Sequence, residues 1–253
     1  DFSFLAMTPS ASALLQGASN FRDIGGYRNA DGRSVRRGQI FRSDHLAGLT
    51  AGVVTATVTA DTIAALNTAL TDADANDALS LTVNDTTGVY AFDLKALDSK
   101  TSVAVNASSV TQINGSANDV LALYEAGSLG TISGLGNENI SVSTPFGVNP
   151  TVAQVNAIAP YTSGVISADF GYQSMAGLKA LAVAGDFQAI VYDRNMSATD
   201  ILGIASKTSA AFTLQYAGSD ANSMIIEGTS SDISAVLSNA HVAIGGEIGR
   251  AHV

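Results

Sequence analysis

The segment DLKALDSKTSV (residues 93–103) returns as DILGIASKTSA at residues 200–210. Both copies fit the pattern D-[LI]-x-x-[LI]-x-S-K-T-S-[VA], with five identical positions of eleven. Looser versions of the first half occur as ADTIAAL (60–66), ANDVLAL (117–123), ATDILGI (198–204) and SDISAVL (231–237). A sequence motif that recurs along one chain predicts a repeated structural unit.

Each version of the phrase begins like a short helix. An Asp behind a small or polar residue suits the first helical turn, where free backbone N–H groups and the helix dipole favour an anion. The predicted N-caps are Ser116, Ser197 and Ser230 or Ser231. Apolar residues follow at helical spacing, as in Val120, Leu121 and Tyr124, so each helix should bury one stripe. A helix of two or three turns needs a partner, because it is not stable alone.

A Val/Thr-rich strand follows each helix after a polar turn. The predicted strands are ALSLTVND (78–85), TSVAVNAS (101–108), SGVISADF (163–170), SAAFTLQY (209–216) and HVAIGG (241–246). Their alternation of apolar and polar residues is typical of a sheet that is covered on one face. A single helix-strand unit cannot bury its apolar face, so we predict that neighbouring units stack into an elongated α/β solenoid. A compact α/β domain is the alternative.

The charges divide the chain into two parts. Residues 1–50 carry a net charge of +2, whereas residues 51–246 carry −12. An acidic body with few cations cannot neutralise many phosphates, which argues against nucleic acid and anionic membranes as partners. No apolar run approaches the roughly 18 residues of a membrane-spanning helix. The sequence has no Cys, so it contains no disulfide, thiolate metal ligand or thiol nucleophile.

The first fifty residues predict a different structure, an N-terminal β-hairpin. Within ASNFRDIGGYRNADGRSVRRGQIFRSDHLAGLT (18–50), residues 20–24 predict a strand, 29–32 a turn and 34–42 a second strand. The arginines of this hairpin either bind an anion or solvate one face. The candidates for a phosphate site are Arg22, Arg36, Arg37 and Arg42.

The motif NFRDIGGY, followed by GRSVRRGQIFRSDHLAGLT, resembles the N-terminal part of the bacterial tyrosine-phosphatase family related to dual-specificity and lipid phosphatases. The resemblance implies a framing role for this segment and catalysis downstream, in a Cys-x5-Arg loop whose thiolate attacks the phosphate. Because the sequence has no Cys, we expect a pseudoenzyme with no phosphatase activity and no small-molecule substrate. By itself, this segment would indicate a cytoplasmic protein.

The segment GLGNENISVS (134–143) and the phrases VTAD, VNAS and SAND resemble repeats of long bacterial cell-surface proteins of adhesin-like type. This resemblance implies a non-enzymatic, structural or adhesive role outside the cell, with neighbouring repeats or other surface proteins as partners. Membership of the phosphatase family is the alternative function. GLGNEN lacks the third Gly of a dinucleotide motif, so Asn137 and Glu138 are predicted to lie in a plain turn.

An acidic turn, TDADAND, is the candidate cation site. Its predicted ligands are Asp72, Asp74, Asn76 and Asp77. Clustered carboxylate and amide oxygens suit Ca²⁺, although the EF-hand pattern fails because Val83 stands where the bidentate Glu belongs. A solvated turn is the more ordinary interpretation. No other cofactor is predicted, and the His residues lack the spacing of zinc ligands.

Three segments are therefore predicted: a truncated phosphatase-like segment at 1–50, an α/β repeat region at 51–246 and a tail at 247–253. The tail, EIGRAHV, resembles a translated sequencing adapter, so we leave it out of the predicted fold. The same interpretation makes residues 49–52 a candidate chimeric junction.

Overall fold

The structure, a computed structural model, describes residues 53–143, 148–216 and 224–252, and the backbone of residues 22–23 and 41–42. For residues 249–252 the description is likewise of the backbone alone. The chain divides into two compact units, Asp1–Thr55 and Ala56–Val253. In the first unit, strands β1 (Arg22–Asp23) and β2 (Phe41–Arg42) pair antiparallel, in agreement with the predicted hairpin. The predicted turn at residues 29–32 lies outside the described residues.

The second unit is mixed α/β, with parallel sheets and, among the described residues, seven α-helices. The helices are α1 (Ile63–Ala69), α2 (Ala91–Asp98), α3 (Ala117–Leu129), α4 (Val152–Ile158), α5 (Met175–Lys179), α6 (Ala198–Ala205) and α7 (Ser230–Leu237). The strands are β3 (Thr55–Thr57), β4 (Ala78–Ser80), β5 (Val89–Tyr90), β6 (Val105–Asn106), β7 (Gln112–Gly115), β8 (Ile132–Ser133), β9 (Asn139–Val142), β10 (Ile166–Gln173), β11 (Asp186–Val191), β12 (Asn195–Ser197), β13 (Phe212–Leu214), β14 (Met224–Glu227), β15 (Val242–Ile244) and β16 (Ile248–His252). The predicted α/β class is confirmed at this level.

In the described part of the chain, the largest sheet has seven strands in the order β15-β13-β11-β10-β9-β7-β5. All of its pairings are parallel, and each strand lies beside the strand of this sheet that follows it in the chain. Parallel neighbours require a crossover connection, which explains why helices alternate with these strands. Strands β12, β14 and β16 form a second parallel sheet, β6 pairs with β8, and β3 pairs with β4.

One face of the seven-stranded sheet is buried in the apolar core. In β10, Ile166, Ala168 and Phe170 are buried, whereas Ser167 is half-buried and Asp169 is exposed. The predicted alternation at residues 79–84 is also observed, because the three apolar side chains there are buried. The apolar positions of helices and strands therefore meet in one continuous core.

The helix starts follow the N-cap rule with two corrections. Ser116 caps α3 as predicted, since its hydroxyl accepts a hydrogen bond from the backbone N–H three residues on, at 3.1 Å. Ser197 occupies the N-cap position of α6, but its side chain makes no hydrogen bond to the helix backbone. Helix α7 is capped by Thr229, so the predicted caps Ser230 and Ser231 are already inside the helix. A Thr hydroxyl can also accept this hydrogen bond, and Thr is among the preferred N-cap residues.

Among the described residues, three Thr-Ser pairs form hydrogen bonds to strands or turns that precede them by 21 to 27 residues. We call these pairs the Thr-Ser bridges: Thr101 with Ser102, Thr162 with Ser163, and Thr208 with Ser209. In each bridge, the N–H and the hydroxyl of Ser donate to one earlier carbonyl. The Thr hydroxyl donates to the carbonyl two residues beyond that one. The bridges therefore satisfy backbone groups of one segment with side chains of the next.

Two of the bridges come from the recurring S-K-T-S phrase. The Thr101 hydroxyl donates to the Leu79 carbonyl at 2.8 Å and accepts from the Leu79 N–H at 2.9 Å. Thr208 makes the same two bonds to Phe187, at 2.8 and 2.9 Å. Both Thr residues are buried, at 6% and 7% exposure. Identity in sequence thus corresponds to identity in hydrogen bonding.

Residues 248–252, which the predicted fold leaves out, form strand β16. Strand β16 pairs in parallel with β14 and places Ile248 opposite Met224 and His252 opposite Glu227. Pairing of this kind uses backbone groups, so it does not depend on the unusual composition of the tail. The division into segments 1–50, 51–246 and 247–253 stays a prediction. In the part of the chain that the structure covers, no helix is both long and apolar enough to cross a membrane.

Candidate functional site

The predicted phosphate-binding arginines belong to the first unit. The register of β1 and β2 makes Arg22 and Arg42 direct Cα partners. Directly opposed residues of an antiparallel pair have Cα atoms about 4.5–5.5 Å apart, so the backbone brings these two positions together. Arg36 and Arg37 lie outside the described residues. Phosphate binding by the four arginines stays a prediction.

The acidic turn uses its side-chain oxygens to bind its own backbone. Asp74 Oδ1 accepts from the Asn76 N–H at 2.8 Å, and Asp77 Oδ2 accepts from the Asp74 N–H at 3.3 Å. Asp72 is exposed. Across the described ranges, no group of three or more His, Cys, Asp or Glu side chains is placed to hold a metal. Calcium binding at this turn stays a prediction.

A buried acid, Glu138, is the functional candidate that the sequence did not reveal. It lies in the turn predicted to be plain, yet its exposed fraction is 0%. The Tyr124 hydroxyl donates to Oε2 at 3.0 Å, and the Gly136 N–H donates to both Oε1 and Oε2 at 2.9 Å. A buried carboxyl group without hydrogen bonds would be strongly unfavourable, so these two donors are what allow Glu138 to be buried.

The Thr-Ser bridges show why Glu138 is unusual. In two bridges the residue whose carbonyl the Thr hydroxyl binds is apolar and buried, namely Leu79 or Phe187. In the third bridge it is Glu138, whose carbonyl accepts from the Thr162 hydroxyl at 2.6 Å. The backbones approach closely here, because a Cβ on Gly164 would lie 2.2 Å from the Glu138 carbonyl oxygen. A polar acid thus occupies a position where the other bridges have a core residue.

Tyr124 is fixed on two sides. Its ring stacks on Tyr161, with centroids 5.4 Å apart and an interplanar angle of 8°. Burial first, and then the neighbouring Glu138 carboxylate, raise the pKa of Tyr124 above its ordinary value. The hydroxyl keeps its proton at neutral pH, as an ordinary Tyr does, and donates it in a hydrogen bond to Glu138. The ring stack and the hydrogen bond thus connect Tyr161, Tyr124 and Glu138 in one chain of contacts.

Comparison with known proteins gives a match to a protein family. The sequence model of the tyrosine phosphatase family matches residues 13–66, about a fifth of the chain. No curated protein and no solved structure matches. The match extends beyond the predicted resemblance at 18–50 and reaches the first turn of α1. It therefore covers residues 49–52, where we predicted that the family pattern ends.

This match corrects the predicted function. The adhesive, non-enzymatic role is contradicted, because the family found is a tyrosine phosphatase family and no adhesin-type repeat is matched. The prediction that the protein is not an enzyme is contradicted by the same match to a family of phosphatases. The adapter interpretation of residues 247–253 has no support from the comparisons. Location in the cell stays a prediction.

Proposed function

We propose that the protein acts in the hydrolysis of phosphate monoesters, with residues 13–66 as the N-terminal segment of a tyrosine-phosphatase-like domain. The observation that carries this proposal is the family match over those residues. The pairing of Arg22 with Arg42 supports it, because guanidinium groups are well suited to bidentate phosphate binding. The proposed phosphate-binding residues are Arg22, Arg36, Arg37 and Arg42.

The chemistry of the family defines what this segment contributes. A nucleophile must attack the phosphorus while a proton is supplied to the leaving oxygen. The 253 residues contain no Cys, so they do not supply a thiolate for this step. The proposed contribution of the N-terminal segment is recognition, in which arginines neutralise the charge of the phosphate group.

We also propose that the second unit is a stack of helix-strand units, that is, a solenoid. The order of the seven parallel strands along the chain supports this proposal, as do the three equivalent Thr-Ser bridges. In a stacked array each unit contacts mainly its neighbours, so stability changes stepwise with length. Deletion of residues 224–253 should then leave the remaining units folded, as measured by circular dichroism, whereas a compact domain would lose its cooperative transition.

The functional test measures binding and turnover in the same sample. The full chain is titrated with a phosphotyrosine peptide by calorimetry, and phosphate release is followed with the same peptide. We expect the phosphopeptide to bind and its unphosphorylated form not to bind. Changing Arg22 and Arg42 together to Gln should weaken binding at least tenfold.

The matched control removes the same charge from the same segment. Changing Arg28 and Arg33 together to Gln should leave the affinity within about twofold, provided that position and not net charge governs binding. Phosphate release above a buffer blank would identify a nucleophile within the chain. If the phosphopeptide is neither bound nor hydrolysed, the proposed function is wrong.

A further inference from the structure

A cleft of about 360 Å³ lies beside the Glu138–Tyr124 pair. Two Tyr and two aliphatic side chains line it, together with two Ser and three Gly residues. The non-glycine residues of the lining are Tyr124, Tyr161, Ile132, Leu135, Ser128 and Ser133. This volume lies at the small end of the range for ligand-binding clefts, so it fits a single ring better than a larger molecule.

The aromatic wall of the cleft is organised before any ligand arrives. Tyr161 stacks on Tyr124, whose hydroxyl is bound to the buried Glu138. Tyr161 is 37% exposed, so part of its surface is available for contact. Side chains that such contacts already hold in place lose little conformational entropy when a ligand binds.

The chemistry of the lining specifies a neutral ligand. All of the lining residues are described, and none is Lys, Arg, His, Asp or Glu. The hydroxyl of Ser128 donates to the Tyr124 carbonyl at 2.9 Å, and that of Ser133 donates to the Val105 carbonyl at 3.3 Å. Each hydroxyl oxygen still has lone pairs that can accept a hydrogen bond. An anion would find no cation here, and a cation would find no carboxylate on the lining.

We propose that this cleft binds a neutral, single-ring aromatic molecule that carries a hydrogen-bond donor, with its ring against Tyr161 and its donor directed to Ser128 or Ser133. Offset or edge-to-face contact between rings favours an aromatic ligand over an aliphatic one of the same size. The proposal does not depend on phosphate-ester chemistry.

The test uses p-cresol as the probe and the full chain. Saturation-transfer NMR detects contact, and a titration gives a dissociation constant that we expect to be on the order of 1 mM for so small a ligand. Cyclohexanol lacks the aromatic ring, and benzoate adds a negative charge. Each should bind at least fivefold more weakly than p-cresol.

Two Gly→Ala variants distinguish a loss of binding that is caused by a narrower cleft from one that is caused by altered folding. Gly127 lies in α3, and a Cβ there would contact Leu135 Cδ1 at 3.4 Å, which narrows the cleft. Gly203 lies in α6, where a Cβ would meet nothing within 4 Å. Both changes favour the helix, so both variants should fold and melt at or above the temperature of the parent chain.

We expect Gly127→Ala to weaken p-cresol binding at least threefold and Gly203→Ala to leave it unchanged. Tyr161→Ala should weaken binding more than tenfold, because it removes the exposed ring. Equal affinity of p-cresol for the two Gly→Ala variants would overturn the proposal, and so would equal affinity of p-cresol and benzoate for the parent chain.

Discussion

The two S-K-T-S segments, residues 93–103 and 200–210, make the same threonine hydrogen bonds but end their helices differently. Helix α2 ends on Asp98, whereas α6 has Ala205 at the equivalent position. Within the described part of the chain, Asp98 Oδ1 is buried without a hydrogen-bond partner. Ala205 is apolar and buried, at 3% exposure. The two segments therefore share the hydrogen bonds from Thr to backbone groups but differ in the residue at the end of the helix.

The difference between Asp98 and Ala205 indicates why other positions of the two segments are identical. Thr101 and Thr208 each bind both the N–H and the carbonyl of a buried strand residue. Leaving a buried polar group unsatisfied costs about 1–3 kcal/mol, and few side chains can both donate and accept in that space. Apolar contacts can be made by several residue types of similar size. The shared Thr is therefore a residue that satisfies backbone groups in both segments.

The largest effect should come from removing one of these threonine hydroxyls. Thr101→Val keeps the shape of the side chain but leaves the Leu79 N–H and carbonyl without that partner, so we expect a loss of about 3 kcal/mol in the free energy of unfolding. Thr208→Val should cost the same within about 1 kcal/mol, as measured by urea denaturation.

Thr101→Ser is the matched control for this comparison. It keeps the hydroxyl and removes one methyl group, so its cost should be about 1 kcal/mol. If Thr101→Val costs no more than Thr101→Ser, the hydrogen bonds do not explain why the two segments are alike.

The next effect concerns the third bridge, where Glu138 replaces an apolar residue. Tyr124→Phe removes the donor to Glu138 Oε2 and should cost about 1–3 kcal/mol. Adding Glu138→Leu makes this bridge resemble the other two, and the double variant should recover part of the loss. Urea unfolding of the two single variants and the double variant gives the coupling energy. Strictly additive effects would mean that the two side chains do not depend on each other.

The Tyr124–Glu138 pair also predicts that the free energy of unfolding depends on pH. Burial and the Glu138 carboxylate raise the pKa of Tyr124 in the folded state, so the folded chain holds this proton more tightly than the unfolded chain. The resulting stability is fully present below about pH 10, the ordinary tyrosine pKa, and is lost as the pH rises above it. The free energy of unfolding should fall less steeply between about pH 9.5 and pH 11 for Tyr124→Phe than for the parent chain. Parallel profiles would contradict the shift.

The sequence predicts that the two S-K-T-S segments are structurally equivalent, and it predicts the α/β class. Both predictions depend on local patterns: a recurring phrase in the first case, and apolar residues at regular spacing in the second. It does not predict the third bridge, because Thr162 and Ser163 lack the preceding Ser-Lys. Burial of Glu138 could not be predicted either, since its donor Tyr124 is 14 residues away and appears as one more apolar residue of a helix. The adhesive role was predicted from the resemblance of the repeat region to surface proteins, and the lack of phosphatase activity from the absence of Cys, whereas the family match depends on residues 13–66.

A smaller effect of opposite sign should follow when Asp98 is made like Ala205. Asp98→Ala removes a buried oxygen without a partner and a negative charge at the end of a helix, where the dipole disfavours it. The change also removes the bond from Thr131 Oγ1 at 3.0 Å, but that hydroxyl has a second acceptor in the Ala126 carbonyl. We expect a gain of about 0.5–1 kcal/mol in the free energy of unfolding. A loss of stability would show that the Thr131 bond dominates.

The smallest effect comes from a difference between Asp93 and Asp200, the acidic residues in the first turns of α2 and α6. Asp200 forms an ion pair with Lys179 at 2.8 Å, whereas burial raises the pKa of the equivalent Asp93. Because the Lys179 and Asp200 side chains are 54% and 32% exposed, solvent screens their attraction, and Lys179→Met should cost no more than about 0.5 kcal/mol. That cost should vanish in about 1 M NaCl, as measured by urea unfolding at low and high salt. A larger cost that persists in salt would mean that the packing of the Lys179 stem, and not its charge, joins α5 to α6.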